Sequence, residues 1–315
     1  MTTSLRIAYA GTPEFAVPAL QRIAASDNEL VCVITQPDRP AGRGRKIAES
    51  AVKIAAQAAQ AAIFQPENIN HRSSLDYLAT LQLDVMVVAA YGQLFKQELL
   101  SLPRLGCINI HASLLPRWRG ASPIQHAILH GDATTGVTIM QMSKAMDAGD
   151  VWLQQCCDIN AQDTAQSLHD RLAALGADLI LPALAGVGSG AYQALAQAAD
   201  AVSYCSKLQK ADGLIDWSQP GQQIDRQIRA FFPWPRAYTY LTGKRLGILS
   251  AELVEQDQIY HCHGEIIATD RLGVYVATSK GVIRLQRLVP EGGKAVSAYE
   301  FSNANTLVGA VLGDR

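Results

Sequence analysis

An α/β domain built on a mainly parallel sheet, followed by a small antiparallel β-barrel domain, is the architecture this 315-residue sequence predicts. Three observations carry the prediction. Over residues 5–110, short apolar runs alternate with stretches of helical periodicity, as βαβ units require. After about residue 205 that rhythm gives way to short strand-like segments divided by glycine or charge, which suits a small barrel. Between the two lies an uncharged stretch, 179–199, interrupted by Pro182, Gly186, Gly188 and Gly190, which reads as a helix end and a linker.

Taken in order, residues 5–10 (LRIAYA) form an apolar strand that Gly11-Thr12-Pro13 stops, and a helical pattern runs on to about Ala25. A second strand at 30–35 completes a β-α-β opening. Ala-rich sequence at 50–62 reads as helix, Ile63 marks a short strand, 74–81 is a helix and 85–89 (VMVVA) is a strong strand. Residues 107–110 end a further buried strand, and 136–142 form another. In such sheets ligands collect at the carboxyl ends of the strands, so the loops after residues 10, 35, 89 and 110 are expected to share one crevice. Beyond the linker, 208–217 leads into a helix at 221–231 and a Pro-Trp-Pro turn at 233–235. Segments 237–241, 245–255, 264–268, 273–278 and 281–288 then supply the barrel strands. The expected domains are 1–190 and 206–315, with 191–205 as linker.

Composition narrows the function classes. With 49% hydrophobic and 17% charged residues the chain has enough apolar material for about two globular domains. A net charge of −1 gives no global attraction to nucleic acid, although residues 204–315 hold 13 basic against 11 acidic side chains. The six cysteines include no Cys-x-x-Cys pair, which suggests neither a disulfide framework nor a zinc ribbon and agrees with a reducing cytoplasm. His261 and His263 resemble ligands, but strand alternation turns Cys262 to the other face, and no metal is expected. The apolar run after Arg6 is cut by Gly11 and Pro13, so no export signal is read, and 179–199 is too interrupted for a membrane span. The first turn is GTPEFA and 42–47 lacks a third glycine, which sets aside a dinucleotide fingerprint.

The chemistry concentrates in residues 107–150. Asn109 and His111, two apart on a strand, point to the same side. The loop after 136–142 carries Asp147 and Asp150, either of which can return beside the imidazole. A donating amide, a proton-exchanging histidine and a carboxylate that orients it suit a reaction that builds negative charge on a carbonyl oxygen while moving a proton. Acyl transfer has that form. A Gly-x-Ser-x-Gly elbow and a papain-like cysteine signature are both missing, so the acceptor is expected to attack directly.

Asn109-x-His111 followed by Ser113-Leu114-Leu115-Pro116, with Asp147 opening an Asp-x-Gly-Asp loop, resembles the formyltransferases that use 10-formyltetrahydrofolate. The similarity runs from Arg6 to the C-terminus through GTPEFAVPAL (11–20), TQPDRPAGRGRK (35–46), DVMVVAAYGQ (84–93) and IRAFFPWPRAY (228–238). It is nearest to the members that act on methionyl initiator tRNA. The resemblance implies a Rossmann-like first domain whose crevice takes a folate, and an OB-like second domain that binds tRNA. It implies a cytoplasmic monomer of translation initiation, without a metal or a membrane, that moves the formyl group of 10-formyltetrahydrofolate to the α-amine of methionyl initiator tRNA.

The same resemblance assigns catalytic roles to Asn109, His111 and Asp147. It assigns folate contacts to Val88, Ala89, Ala90, Tyr91, Ser113, Leu114, Leu115, Pro116, Lys144, Ala145, Met146 and Asp150, and tRNA contacts to Arg39, Arg43, Arg45 and Lys46. Two departures stand out: Ala145 replaces a usual glycine and Ala148 a common threonine, so the backbone around Asp147 is expected to be held differently. Arg117 and Arg119, flanking Trp118, are read as structural or substrate-facing. Phe231, Phe232 and Trp234 are read as core packing in preference to base stacking. The rival readings are a formyltransferase for a ribonucleotide amine or an amino sugar, a non-catalytic RNA-binding protein on the same scaffold, and a folate hydrolase. The basic loop at 38–46 and the second domain favour a large polyanionic acceptor.

Overall fold

A computed structural model describes residues 4–41 and 46–313. The chain divides into two compact units. One takes the chain up to Pro123 together with Thr134–Asp158 and His169–Cys205, and the other comprises Ile124–Ala133, Ile159–Leu168 and the chain from Ser206 onward.

The strands of the first unit are β1 (Arg6–Gly11), β2 (Glu29–Ile34), β3 (Arg39–Ala41), β4 (Lys46–Ala48), β5 (Ile63–Phe64), β6 (Val85–Ala89), β7 (Cys107–His111), β8 (Arg119–Gly120), β9 (Thr134–Gln141), β10 (Val151–Asp158) and β11 (Tyr204–Cys205). Helices along this part of the chain are α1 (Val17–Ala24), α2 (Ala51–Ala58), α3 (Arg72–Thr80), α4 (Gln97–Leu100), α5 (Pro123–His130) and α6 (Ala165–Ser189). The main sheet has the order β10-β9-β7-β6-β1-β2-β5. It is parallel from β5 to β7, while β9 and β10 add antiparallel strands. β2 and β5 extend from one side of β1, β6 and β7 from the other, so the order reverses between β1 and β6. A crevice opens at such a reversal because the connections leave on opposite faces.

Three loops meet there. The Thr12 hydroxyl and the Gln36 amide both donate to the carbonyl of Tyr91, at 3.0 and 3.1 Å, which ties the ends of β1, β2 and β6 together. Gly11 is required at the end of β1, because a Cβ would lie 2.7 Å from that of Ala16. The Tyr91 ring is buried in the core with Cys32, Ile69 and Leu99, and burial pushes its hydroxyl well above the ordinary tyrosine range.

Two elements differ from the sequence expectation. Helix α2 stops at Ala58, short of the Ala-rich stretch, because Gln60 turns left-handed (φ 54°) and Ala61 N closes back on Ala56 O at 3.0 Å. Helix α6 runs unbroken through Pro182 to Ser189, where a helix end and linker were expected. Its glycines are contact positions. Gly176 lies under Ile110 and Val137 of the sheet, Gly188 faces Leu5, and Gly186 is covered by the Tyr192 ring. Close contacts at these three positions hold the helix together where propensity opposes it. By length and composition this helix is apolar enough to cross a membrane, but half of its most apolar window is buried inside the protein.

The second unit carries α7 (Gly221–Ala230), β12 (Ala237–Leu241), β13 (Lys244–Ile259), β14 (Ile266–Asp270), β15 (Gly273–Ala277), β16 (Lys280–Pro290), β17 (Val296–Ser297) and α8 (Ala298–Asn303). Its strands are antiparallel in the order β12-β13-β16-β15-β14, with β17 on β16. Irregularities in β13 near Ile248, Ser250 and Leu253 bend the sheet. One face closes over a core of Trp217, Ile224, Ile248, Val276, Ile283 and Leu285. The first turn of α8 is fixed by a capping box between Ser297 and Glu300. Ile283 is fully buried at the centre. Ile283→Ala is expected to lower stability by about 2–5 kcal/mol, because transfer energy is lost and a cavity is left. Urea unfolding of the two proteins side by side measures it, and a loss under about 1 kcal/mol would mean the core collapses around the gap.

Candidate active site

Strand β7 brings Asn109 and His111 to one face, with Ile110 between them turned toward α6. In the sheet Asn109 stands between Val88 and Met140, and His111 opposite Thr138. Asn109 is half-buried, and no described residue bonds to its amide. His111 is 6% exposed. Its Nε2 lies 3.0 Å from the carbonyl of Trp118. A carbonyl only accepts, so Nε2 carries the hydrogen and Nδ1 is the basic nitrogen. Nδ1 faces Asp147, with Oδ2 at 3.8 Å. A carboxylate at that distance attracts the imidazolium that forms when Nδ1 takes up a proton.

The carbonyl that orients His111 is delivered by an unusual turn. Residues 113–118 fold tightly, with the Ser113 hydroxyl donating to Arg117 O at 2.6 Å and Arg117 N to Leu114 O at 3.1 Å. Thr138 Oγ1 donates to Ser113 O and accepts from Leu115 N, while the Gln154 amide donates to Leu115 O. Trp118, buried, ends the turn in the left-handed region (φ 62°), a costly conformation for a bulky residue, and its N–H donates to Ser203 Oγ at 2.9 Å. Ser113 and Leu115 are buried and Leu114 and Pro116 half-buried, so much of this motif is used in building the turn.

Asp147 sits in the loop between β9 and β10. Gln141 N donates to Asp150 O at 2.8 Å, closing the loop at its base, and Gly149 packs so tightly on Gln141 O that no Cβ fits. Asp147 itself takes the left-handed conformation (φ 49°), which a short polar side chain tolerates. Ala145 and Ala148 are not left-handed, so the two departures from the family pattern impose no such strain on the loop. Oδ2 of Asp147 accepts from Gly120 N at 2.8 Å, and its carbonyl accepts from the Gln197 amide at 2.9 Å. Asp150, by contrast, is exposed, and Lys144, Ala145 and Met146 line the exposed side of the loop.

Two thiols lie nearby. Burial pushes Cys107 up to about 12 and Cys205 up to about 11, so both stay protonated at neutral pH and neither supplies a nucleophile. No group of three His, Cys, Asp or Glu among the described residues gathers as a metal site would.

The other expected positions are distributed. Val88 and Ala89 end β6 in the core, and Ala90 is exposed in a left-handed turn (φ 48°) at the switch point. Arg39 is exposed on β3, 3.5 Å from Glu67, and β3 pairs antiparallel with β4, so the expected loop has a ribbon for its base. Lys53 clamps the foot of that ribbon by pairing with Asp38 and Glu49, which holds the Asp38 carboxyl below its usual range. Lys46 begins β4, and Arg43 and Arg45 lie outside the described residues. The guanidinium of Arg119 donates to Gln197 Oε1 and that of Arg117 lies over the Trp118 ring, at 4.4 Å from its centroid. Phe231 is buried and Trp234 is 48% exposed. Sequence reasoning missed Trp118 O, Gly120 N and Gln197, since backbone groups and a linker glutamine leave no compositional trace.

Comparison with known proteins places these observations in a family. The chain matches a formyl transferase family model over residues 5–184, and the model of the formyl transferase C-terminal domain over 207–306. The methionyl-tRNA formyltransferase of Hydrogenovibrio crunogenus is 45% identical over 313 residues, 99% of this chain and 100% of that protein. That of Coxiella burnetii is 44% identical over 302 residues, 96% of each. Among solved structures, an N-formyltransferase from Helicobacter canadensis in complex with folinic acid and dTDP-3-aminofucose has a TM-score of 0.69 at 18% identity, covering 89% of this chain and 99% of that one. HypX from Aquifex aeolicus in complex with tetrahydrofolic acid has a TM-score of 0.64 at 16% identity, covering 95% of this chain and 47% of its own. The structures establish the likeness of fold, and the near end-to-end identity to curated relatives goes further: the chain belongs to the formyl transferase family.

Proposed function

We propose that this protein transfers the formyl group of 10-formyltetrahydrofolate to the α-amine of methionyl initiator tRNA, yielding N-formylmethionyl-tRNA for translation initiation. The observation that carries the reading is the identity to methionyl-tRNA formyltransferases, which spans both units and not the first alone. An α-amine titrates near pH 8, so part of it is neutral and nucleophilic in the cell. Its nitrogen bonds to the formyl carbon, and the free amide of Asn109 donates to the oxygen on which charge builds. Nδ1 of His111 accepts the proton the amine gives up, with Asp147 opposite the imidazolium. That proton passes to N10 of the departing tetrahydrofolate as its bond to carbon breaks.

In this reading residues 1–190 form the catalytic domain, 191–205 a linker and 206–315 a tRNA-binding domain. The folate lies against 88–91, 113–116, 144–146 and Asp150, and Arg39, Arg43, Arg45 and Lys46 hold the acceptor arm. The protein acts as a cytoplasmic monomer, without a membrane or a metal.

Single-turnover transfer of labelled formyl, compared across methionyl initiator tRNA, methionyl elongator tRNA and a ribonucleotide amine, tests this. Transfer to the initiator at a rate on the order of a hundredfold above the others is expected, since one well-placed contact set discriminates by that much. Transfer to the small amine alone would overturn the acceptor, and no transfer would return the chain to a binding role.

A further inference from the structure

The segment that precedes the second unit is built into the candidate active site. Leu195 exchanges two backbone hydrogen bonds with Val151, at 2.8 and 2.9 Å. Eight residues on, Ser203 accepts from Trp118 N through its hydroxyl and from Arg119 N through its carbonyl, and donates its own N–H to Pro116 O. Residues 204–205 then continue as β11 on β8. Pinned at both ends, the chain crosses the Asp147 loop, and the residue it lays there is Gln197.

Every polar group of that side chain is used. Its Nε2 donates to Asp147 O at 2.9 Å and to Gly149 O at 2.7 Å. Its Oε1 accepts from Nε and Nη2 of Arg119 at 3.0 and 2.7 Å. A guanidinium only donates, so the amide has one orientation, with both hydrogens aimed at the loop. Asp147 is thus gripped on two sides, its carboxylate by Gly120 N and its backbone by Gln197. The left-handed turn at Asp147 points the carbonyl one way and the carboxylate toward His111.

From this geometry we infer that Gln197 is a positioning residue for formyl transfer, holding Asp147 at its station opposite His111 Nδ1. The inference rests on the formyl-transfer reading above and adds a residue to it. Gln197 acts through Asp147, and Arg119 acts through Gln197.

The test is a double-mutant cycle read with saturating substrates. Gln197→Glu keeps the shape and the acceptor for Arg119 but presents oxygen to the two carbonyls, and Gln197→Ala removes the amide. Each is expected to lower kcat by roughly 10–100-fold, the scale on which misplacement of about 1 Å acts. In an Asp147→Asn background the further loss is expected to shrink to less than about twofold, because residues acting through one another are not additive. Hydrogen exchange of peptides spanning 143–150 and of the Gly120 amide is expected to quicken in Gln197→Glu, a readout that needs no substrate. Full kcat in Gln197→Glu, full additivity with Asp147→Asn, or unchanged exchange would each overturn the inference. The exchange arm separates the two ideas: quickened exchange in a protein that formylates no acceptor would sink the functional reading and leave the Gln197 contact intact.

Discussion

Asn109→Ala is expected to lower turnover at least on the order of a hundredfold while leaving the fold intact, the usual cost of removing one oxyanion donor. The separation of the two effects follows from the environment of the side chain. Asn109 is half-buried, and no described residue bonds to its amide, so truncation strands no internal partner. In the proposed reaction its contribution comes only as charge develops on the formyl oxygen. The loss is therefore expected in kcat, with KM for donor and acceptor close to wild type, as for an interaction made only in the transition state. Asn109→Asp is the sharper variant. It preserves shape but sets a carboxylate against the oxyanion, and turnover is expected to fall below that of the alanine variant. Steady-state kinetics with thermal unfolding on both proteins checks this. Near-normal kcat in Asn109→Ala would remove the residue from the mechanism, and a raised KM with normal kcat would recast it as a binding group.

Gly120→Ala is the second large effect, and it reaches the same site through the backbone. Gly120 has φ 122°, outside the range an L side chain adopts comfortably, and its Cβ would collide with the carbonyl of Cys205 on β11. The obstacle is main chain and cannot rotate away, so β8 and β11 must part. The strain alone costs on the order of 1–3 kcal/mol. Function is expected to suffer more, because Gly120 N donates to Asp147 Oδ2 and its neighbour Trp118 O orients His111. A fall in kcat of roughly a hundredfold or more is expected, in line with misplacement of about 1 Å. Gly190→Ala is the control: φ is also positive, at 71°, but nothing lies within 4 Å. It is expected to cost about 1–2 kcal/mol, the penalty of a left-handed L residue, and to leave kcat unchanged. Equal kinetic losses in the two variants would show that backbone strain and not the Asp147 contact is responsible.

What could be read from the sequence was whatever side-chain chemistry and periodicity encode. The apolar runs located β1, β2, β6 and β7, since a strand buried on both faces has no other composition open to it. Spacing of two put Asn109 and His111 on one face. The end of α2 was hidden because alanine continues a helix by propensity, and what stops it is the left-handed Gln60. The continuity of α6 was hidden for the opposite reason. Proline and glycines argue locally for a break, and only the tertiary contacts of Gly176 and Gly188 show why those glycines are tolerated. Within the site the limit was of another kind. His111 is oriented by a carbonyl and Asp147 by an amide N–H, groups that every residue possesses, so no residue type announces them. Gln197 carries a distinctive side chain, but in a stretch whose small uncharged residues read as a connector.

The crossing of 191–205 over the Asp147 loop bears on how this protein can be dissected and recombined. A truncation at residue 190, the natural choice if the following stretch were a passive tether, retains Asn109, His111 and Asp147 yet discards Leu195, Gln197, Ser203 and the whole of β11. Such a fragment keeps the three candidate catalytic side chains and loses the contacts that hold the Asp147 loop and the turn at Trp118. Chimeras that exchange the second unit between relatives therefore have their seam after Cys205, where the first compact unit ends, so that the residues before it stay with the candidate site they contact.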